Sequence, residues 1–224
     1  MFFKDADNVY RSDRLARLPR LIHGFGTRDA KDWPGDYIRA KQTHSDIILA
    51  PEGKDTCAGE GDALVLTAPG HLIGVRTADC VPLLIADGES RTIAAVHAGW
   101  RGTASRIAQK AVRRLRDFGL KSEDLIVAIG PCIGECCFEV GPEVGPHFQS
   151  LFPEQTDFRH IDLAEANRRQ LITAGIKPEN IDVSGLCTKC GAGEFHSYRR
   201  DREASGRMVA AIGLVAEGHE KSAG

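Results

Sequence analysis

Residues 46–97 constrain the fold most, because five short runs of apolar or β-branched residues follow one another closely there. The runs cover residues 46–50, 63–67, 72–76, 81–86 and 92–97. Gly, Pro, Asp or Ser bounds each run, which is typical of β-strands. The middle of the chain is therefore expected to be rich in short strands.

The rest of the chain adds helices and further strands in an irregular order. Apolar residues recur at helical spacing from 104 to 115, with Gly119 ending the helix, and a second helix is expected over residues 162–174 with Asp162 as its cap. Strands are expected over residues 125–129, 181–186 and 208–216. Because strands and helices do not alternate regularly, we expect an α+β fold with mixed β-sheets layered with helices.

We expect one domain over residues 1–224, with an ordered core from about residue 20 to residue 216. Residues 28–40 are interpreted as a polar loop, and the small polar tail after Val215 is expected to fray. Neither a GxGxxG motif nor a P-loop occurs in the sequence. A Rossmann-type nucleotide fold is therefore not expected.

Composition narrows the class of protein. Of the 224 residues, 42% are hydrophobic and 27% are charged, and the formal net charge is −2, as in an ordinary globular protein. This balance favours neither a nucleic acid nor a membrane as the main partner. The beginning of the chain has no apolar segment typical of a signal peptide, and no stretch is long enough to span a membrane. A cytoplasmic protein is expected.

Three segments carry residues suited to chemistry, each at the end of an expected strand. They are KQTHSD with His44, RTADCVP with Cys80 and AAVHAGWRG with His97. Two imidazoles and one thiolate suit Zn²⁺, and three protein ligands leave a fourth position open for water or substrate. Water on such a metal has a pKa of about 7. Judged by spacing alone, however, such residues are more often structural or simply exposed.

Several ordered blocks of sequence resemble the laccase-domain family. They are HGFGTR, RTADCVPLLIAD, AAVHAGWRGT, IGPCIGECCFEVG and LCTKCGAGEFHSYRRDREASGRM, and together they extend over roughly residues 22–215. Members of that family are also called multicopper polyphenol oxidoreductases, purine nucleoside phosphorylases of the laccase-domain type, or peptidoglycan editing factors.

The resemblance implies a zinc site whose ligands fall on His44, Cys80 and His97, with Cu²⁺ as the alternative metal. It implies phosphorolysis of adenosine, inosine, guanosine and methylthioadenosine, with adenosine deamination as a second activity, so that a purine nucleoside and phosphate are the expected partners. It also implies a fold like the catalytic domain of the cytotoxic necrotizing factor toxins. Under this hypothesis Cys80 and His97 are catalytic as well as metal-binding.

Other polar residues are candidates for supporting roles. Asp62 and Asp79 could orient an imidazole or move a proton, although a turn-forming role is favoured for Asp79. Guanidinium groups suit phosphate, and the residues considered are Arg76, Arg101, Arg199 and Arg200, with Arg76 and Arg101 preferred because they flank the metal segments. Gln42 is a further candidate for binding substrate. Any single arginine is more often solvated at the surface or engaged in an ion pair than bound to phosphate.

The sequence has seven cysteines, an odd number in a chain that is not small, and in a reducing compartment such cysteines are more often buried, metal-bound or catalytic than paired. Five of them could form a second, structural zinc site: Cys132, Cys136, Cys137, Cys187 and Cys190. Cys132-x-x-x-Cys136 is not the usual half of such a site, so packing is favoured instead.

The sequence departs from the family in three places. The segment after HGFGTR is short, His196 replaces an aromatic residue, and Cys187-x-x-Cys190 stands where relatives vary. The short segment suggests that a loop covering the substrate is missing.

Other functions remain open at this stage. A copper oxidase acting on polyphenols commonly needs H-x-H pairs, which the sequence lacks. A hydrolase with Cys80 as nucleophile and His97 as base, acting on a peptidoglycan precursor, is a further alternative. A binding protein without catalytic activity is the third.

Overall fold

The computed structural model describes residues 1–52, 56–89 and 91–215. Within these residues the strands are β1 (Phe2–Lys4), β2 (Val9–Ser12), β3 (Leu21–Gly26), β4 (Arg39–Lys41), β5 (Ile48–Leu49), β6 (Cys57–Glu60), β7 (Ala63–Leu66), β8 (Leu72–Thr77), β9 (Val81–Asp87), β10 (Ile93–Ala98), β11 (Leu125–Ile129), β12 (Ile181–Val183) and β13 (Met208–Leu214). The helices are α1 (Asp13–Ala16), α2 (Trp100–Ala104), α3 (Ile107–Asp117), α4 (Leu163–Thr173) and α5 (Tyr198–Asp201). None of the described helices has the length and apolar character needed to cross a bilayer.

The described strands form three sheets. A six-stranded mixed sheet has the order β12-β11-β9-β10-β7-β5, a five-stranded antiparallel sheet has the order β1-β2-β3-β13-β8, and β4 pairs with β6. Because parallel pairs join β11 to β12 and β5 to β7 in an otherwise antiparallel sheet, the expected mixed α+β architecture is confirmed.

The six-stranded sheet is buried on both faces, and the strand alternation decides which core each side chain enters. In β10, Ala94 and Val96 pack with helices α3 and α4, whereas Ile93 and Ala95 pack toward the five-stranded sheet. The same alternation divides the residues of β7 and β9. The layers are therefore sheet, sheet and helices, with one apolar core in each interface.

The second long helix forms where the sequence predicts it. The Asp162 side chain accepts a hydrogen bond from the Glu165 backbone N–H at 2.8 Å, which caps α4. The helix expected over residues 104–115 is instead divided between α2 and α3, because Arg106 adopts a left-handed conformation with φ 65°. No glycine marks this break in the sequence.

The start of the chain is more ordered than the sequence analysis suggests. Residues before position 20 form β1, β2 and α1, and Val9 and Leu15 are fully buried. The interpretation of residues 28–40 as loop is wrong at its end, because Ile38 is buried and Arg39 begins β4. The tail expected to fray, residues 216–224, lies outside the described residues.

Candidate metal centre and cleft

His97 and Asp62 lie opposite each other at the ends of two paired strands. The antiparallel register of β10 and β7 continues past Val96 and Ala63, so that the His97 backbone N–H donates to the Asp62 carbonyl at 2.7 Å. The side chains also meet, with His97 Nδ1 2.8 Å from Asp62 Oδ1. Because Nδ1 is occupied by this carboxylate, Nε2 of His97 is the nitrogen available to a metal.

The Asp62 carboxylate also organises the loop that carries His44. It accepts hydrogen bonds from the backbone N–H groups of Thr43, His44 and Ser45 at 3.1, 3.0 and 2.7 Å, and from the Ser45 hydroxyl at 2.7 Å. These contacts hold His44 in a left-handed conformation with φ 58°, which is uncommon for a residue with a Cβ atom. Asp62 therefore positions two histidines while its own side chain is fully buried.

Cys80 follows an equally constrained residue. Asp79 has φ 90°, and its carboxylate accepts from the Thr188 hydroxyl and from the Arg199 backbone N–H, both at 2.6 Å. Asp79 thus fixes the turn before Cys80, which agrees with the turn-forming role favoured for it. Gly99 leaves room beside the thiol, since a Cβ atom there would lie 3.0 Å from Cys80 Sγ.

The three donors predicted from the sequence come together. Ligand atoms of His44, Cys80 and His97 all lie within 4.8 Å of one another, and Cys80 Sγ is 3.9 Å from His44 Nε2. Around a tetrahedral Zn²⁺ with ordinary bond lengths, nitrogen and sulfur ligands lie about 3.6 Å apart. The donor set therefore fits a single metal ion of this kind.

Hydrogen bonds among Cys80, His97 and Asp62 shift the pKa of each group toward its charged form. Burial alone would raise the pKa of the Cys80 thiol, but hydrogen bonds from His44 and then His97 hold it below its usual value. Burial alone would lower the pKa of His97, but its bonds to Asp62 and then Cys80 raise it. For Asp62, hydrogen bonds from His97 and Ser45 outweigh burial, so its pKa is lowered. Without a metal, the chain thus favours a thiolate beside an imidazolium.

These donors lie in a cleft of about 920 Å³ with a cationic rim. The cationic side chains along it are Arg39, Lys41, Arg76 and Arg207. Lys41 is paired with Glu60 at 2.7 Å, and Arg207 donates to the carbonyls of Ser205 and Gly206 at 2.9 Å. Within the described residues, nothing accepts a hydrogen bond from the Arg39 or Arg76 guanidinium groups. They are available to an anionic ligand.

Of the three residues predicted to bind substrate, two line the cleft and one does not. Arg76 lines the cleft, whereas Arg101 does not line it and stacks on the Trp100 ring at 4.4 Å. Gln42 lies in the cleft, but its amide is engaged: Nε2 donates to the Arg76 carbonyl and Oε1 accepts from the Arg76 N–H, both at 2.8 Å. Gln42 therefore positions the backbone of Arg76.

The two remaining arginine candidates have structural partners. The Arg199 guanidinium donates to the Glu139 carbonyl at 2.8 Å, and Arg200 is bonded to Asp201 and to backbone carbonyls that include that of Thr188. Sequence reasoning missed Arg39, which lay in the segment taken for a loop. The strand alternation Arg39-Ala40-Lys41, with Ala40 buried between two exposed cations, is the signal that could have found it.

The packing favoured for the cysteines holds for three of them: Cys132 is buried in the core, and Cys137 and Cys187 pack against it. The Sγ atoms of Cys136, Cys137, Cys187 and Cys190 also all lie within 4.8 Å of one another, and Cys136 and Cys190 are exposed. The reason is tertiary, since two turns from distant parts of the chain meet at this point.

Fold and site together define an α+β protein with a possible two-histidine, one-cysteine metal site in a cationic cleft. Residues 27–215 match the family described as multi-copper polyphenol oxidoreductase laccase, and the chain belongs to that family. The resemblance seen in the sequence blocks is thereby confirmed.

Known relatives carry two kinds of name. The chain is 40% identical over 184 residues to a purine nucleoside phosphorylase of Deinococcus radiodurans, covering 80% of this chain and 70% of that protein. It is 37% identical over 195 residues to adenosine deaminase RL5 from an unknown prokaryotic organism, covering 79% and 74%. The crystal structure of YlmD from Geobacillus stearothermophilus superposes with a TM-score of 0.86 at 27% identity, covering 96% and 99% of the two chains. The likeness to the necrotizing factor fold stays a prediction.

Proposed function

We propose that this chain is a zinc-dependent purine nucleoside phosphorylase that acts on adenosine, inosine, guanosine and methylthioadenosine, with adenosine deamination as a second activity. The observation that carries the proposal is the convergence of His44, Cys80 and His97 in a cleft lined by two guanidinium groups, of Arg39 and Arg76, that have no hydrogen-bond acceptor among the described residues. The names of the Deinococcus and RL5 relatives support the two activities.

In phosphorolysis, a phosphate oxygen forms a bond to C1′ of the ribose while the bond from C1′ to the purine nitrogen breaks. The purine leaves with the bonding electrons and takes up a proton. Arg39 and Arg76 bind the phosphate and neutralise its charge, because guanidinium groups match phosphate oxygens in pairs. The cleft volume lies within the range usual for a small-molecule site.

His44, Cys80 and His97 would hold the metal, and Asp62 keeps the two histidines in place. When bound, Zn²⁺ would supply a Lewis acid and lower the pKa of water in the open fourth position. Deamination replaces the amino group at C6 of adenosine with oxygen from water and releases ammonia. Because phosphorolysis reacts at C1′ and deamination at C6, the nucleoside would bind in two poses.

The test is phosphate-dependent release of hypoxanthine from inosine, measured with zinc content for the wild type and for Cys80→Ala. We expect turnover only with phosphate present, and loss of both bound zinc and turnover in the variant. Unchanged turnover in Cys80→Ala would refute the metal mechanism.

Two alternatives rest on specific observations. The family description favours a copper oxidase, and oxygen uptake on a phenol by protein loaded with Cu²⁺ would support it. The thiolate and imidazolium of Cys80 and His97 favour a cysteine hydrolase. A covalent adduct between Cys80 and substrate would support the hydrolase, whereas alkylation of Cys80 only in metal-free protein would support metal ligation.

The described cysteines are all free thiols, which fits a reducing compartment. We therefore propose a cytoplasmic location, with purine nucleoside and phosphate as the partners.

A further inference from the structure

Four cysteines outside the cleft meet where two surface turns come together. Cys136 and Cys137 lie in a turn whose backbone closes from Cys137 N–H to the Gly134 carbonyl at 2.9 Å. Cys187 and Cys190 lie in a second turn, closed from Gly191 N–H to the Cys187 carbonyl at 2.9 Å. Neither turn contributes to the cleft lining, so the proposed function leaves this cluster unexplained.

The sulfur positions have the dimensions of a four-thiolate metal site. Cys137 Sγ is 3.4 Å from Cys190 Sγ, and Cys136 Sγ is 3.7 Å from both Cys137 Sγ and Cys190 Sγ. Four sulfurs around a tetrahedral Zn²⁺ lie about 3.8 Å apart, given a Zn–S bond of about 2.3 Å. A tetrahedral set of four thiolates is typical of zinc or of iron–sulfur centres.

The surroundings also suit a metal thiolate. The Gly134 backbone N–H donates to Cys187 Sγ at 3.3 Å, which supports a negatively charged sulfur. A Cβ atom at Gly134 would lie 3.3 Å from Cys136 Sγ and 3.6 Å from Cys187 Sγ, so the glycine leaves room for the two thiols to approach. Cys136 and Cys190 are exposed, which gives an ion a path from solvent.

We propose that Cys136, Cys137, Cys187 and Cys190 form a second, structural zinc site in which four thiolates hold one Zn²⁺. Binding replaces the thiol protons, which are released to solvent. The ion ties the turn after Gly134 to the turn at 187–190. Thr188, inside the second turn, donates to Asp79, so the site also supports the residue that fixes Cys80.

The experiment is metal analysis of protein purified under reducing conditions and loaded with Zn²⁺ alone. We expect two zinc ions per chain in the wild type, one in Cys136→Ser/Cys190→Ser and one in Cys80→Ser. Cys57→Ser, which removes an exposed cysteine outside both clusters, should retain two. Equal zinc content in the wild type and in Cys136→Ser/Cys190→Ser would overturn the proposal, whereas equal zinc content in the wild type and in Cys80→Ser would count against the first site.

Cobalt gives a second readout that does not depend on activity. Thiolate ligands produce charge-transfer absorption when Co²⁺ replaces Zn²⁺, and the two sites together offer five thiolates. Cys80→Ser should therefore retain most of the absorption, whereas Cys136→Ser/Cys190→Ser should lose most of it. The reverse ranking would contradict the second site, and a fully retained spectrum in Cys80→Ser would instead count against the first site.

Discussion

The Asp62 carboxylate reaches His97 Nδ1 across two paired strands and, at the same time, holds the backbone of the loop that carries His44. One buried side chain therefore sets the positions of two of the three possible metal ligands. Cys80 is fixed separately, through Asp79 and the turn at 187–190. The candidate metal ligands are therefore far apart in the sequence, and buried hydrogen bonds hold them together.

Replacing Asp62 with Asn should weaken metal binding by about 10- to 100-fold, which is the usual effect of losing a partner of a ligating histidine. An amide oxygen cannot accept all the N–H groups that the carboxylate accepts, so the His44 loop should loosen as well. Competition with a chelator of known affinity measures the effect. Asp46→Asn is the control, because Asp46 pairs with Lys110 and, within the described residues, forms no hydrogen bond with the three ligands. Equal affinity in Asp62→Asn and wild type would contradict the positioning role.

Replacing Arg76 with Met should raise the KM for phosphate about tenfold or more while changing the KM for inosine little. Hydrogen bonds to charged groups contribute about 1.5–3 kcal/mol, and about 1.4 kcal/mol corresponds to a factor of ten. Steady-state kinetics at varied phosphate measures the change. Arg101→Met should behave like the wild type, because Arg101 stacks on Trp100 outside the cleft. If Arg101→Met raised the KM for phosphate more than Arg76→Met did, Arg101 and not Arg76 would be the residue that binds phosphate.

Replacing Asp182 with Asn should destabilise the fold at neutral pH by about 1.5–3 kcal/mol, since the buried carboxylate accepts from the Ser12 hydroxyl at 2.7 Å and from Arg14 Nε at 3.1 Å. Burial alone would raise the pKa of Asp182, but hydrogen bonds from the Ser12 hydroxyl and then from the ammonium group of Met1 hold it below its usual value. The contribution is therefore present above the ordinary Asp pKa of about 4 and is lost as the pH falls through the lowered folded value.

Urea unfolding of wild type and Asp182→Asn at neutral and acid pH measures this difference. The two free energies of unfolding should converge below about pH 4. Asp157→Asn, at an exposed ion pair with Arg159, should match the wild type throughout. A difference between wild type and Asp182→Asn that persists unchanged into acid would refute the assignment to this carboxylate.

Replacing Gly130 with Ala should destabilise the fold by about 1–3 kcal/mol through overpacking. A Cβ atom at this position would lie 2.1 Å from Cδ1 of Phe25, a fully enclosed ring between the two large sheets. Thermal unfolding measures the change. Gly193→Ala is the matched control, because a Cβ atom there meets nothing within 4 Å. Equal melting temperatures for the two variants would contradict the prediction, because they would show that the two sheets accommodate the added Cβ atom without loss of stability.

Much of the fold could be predicted from local patterns, because a strand buried on both faces is a continuous apolar run and a capped helix has its own signals. β9, β10, β11 and α4 lie close to their predicted bounds. The short strands β1 and β6 escaped prediction because their residues are mostly exposed and carry little hydrophobic periodicity.

The sequence by itself determined the sheet-rich α+β class and the types of side chain that could bind a metal, since hydrophobic periodicity and donor chemistry are local properties. Only the tertiary structure decided which of these side chains meet. It directs Arg76 into the cleft and Arg101 onto Trp100, engages the amide of Gln42 with backbone, and brings four cysteines together from turns some fifty residues apart. Convergence of this kind depends on strand register and turn geometry over long separations, which no local pattern of residues specifies.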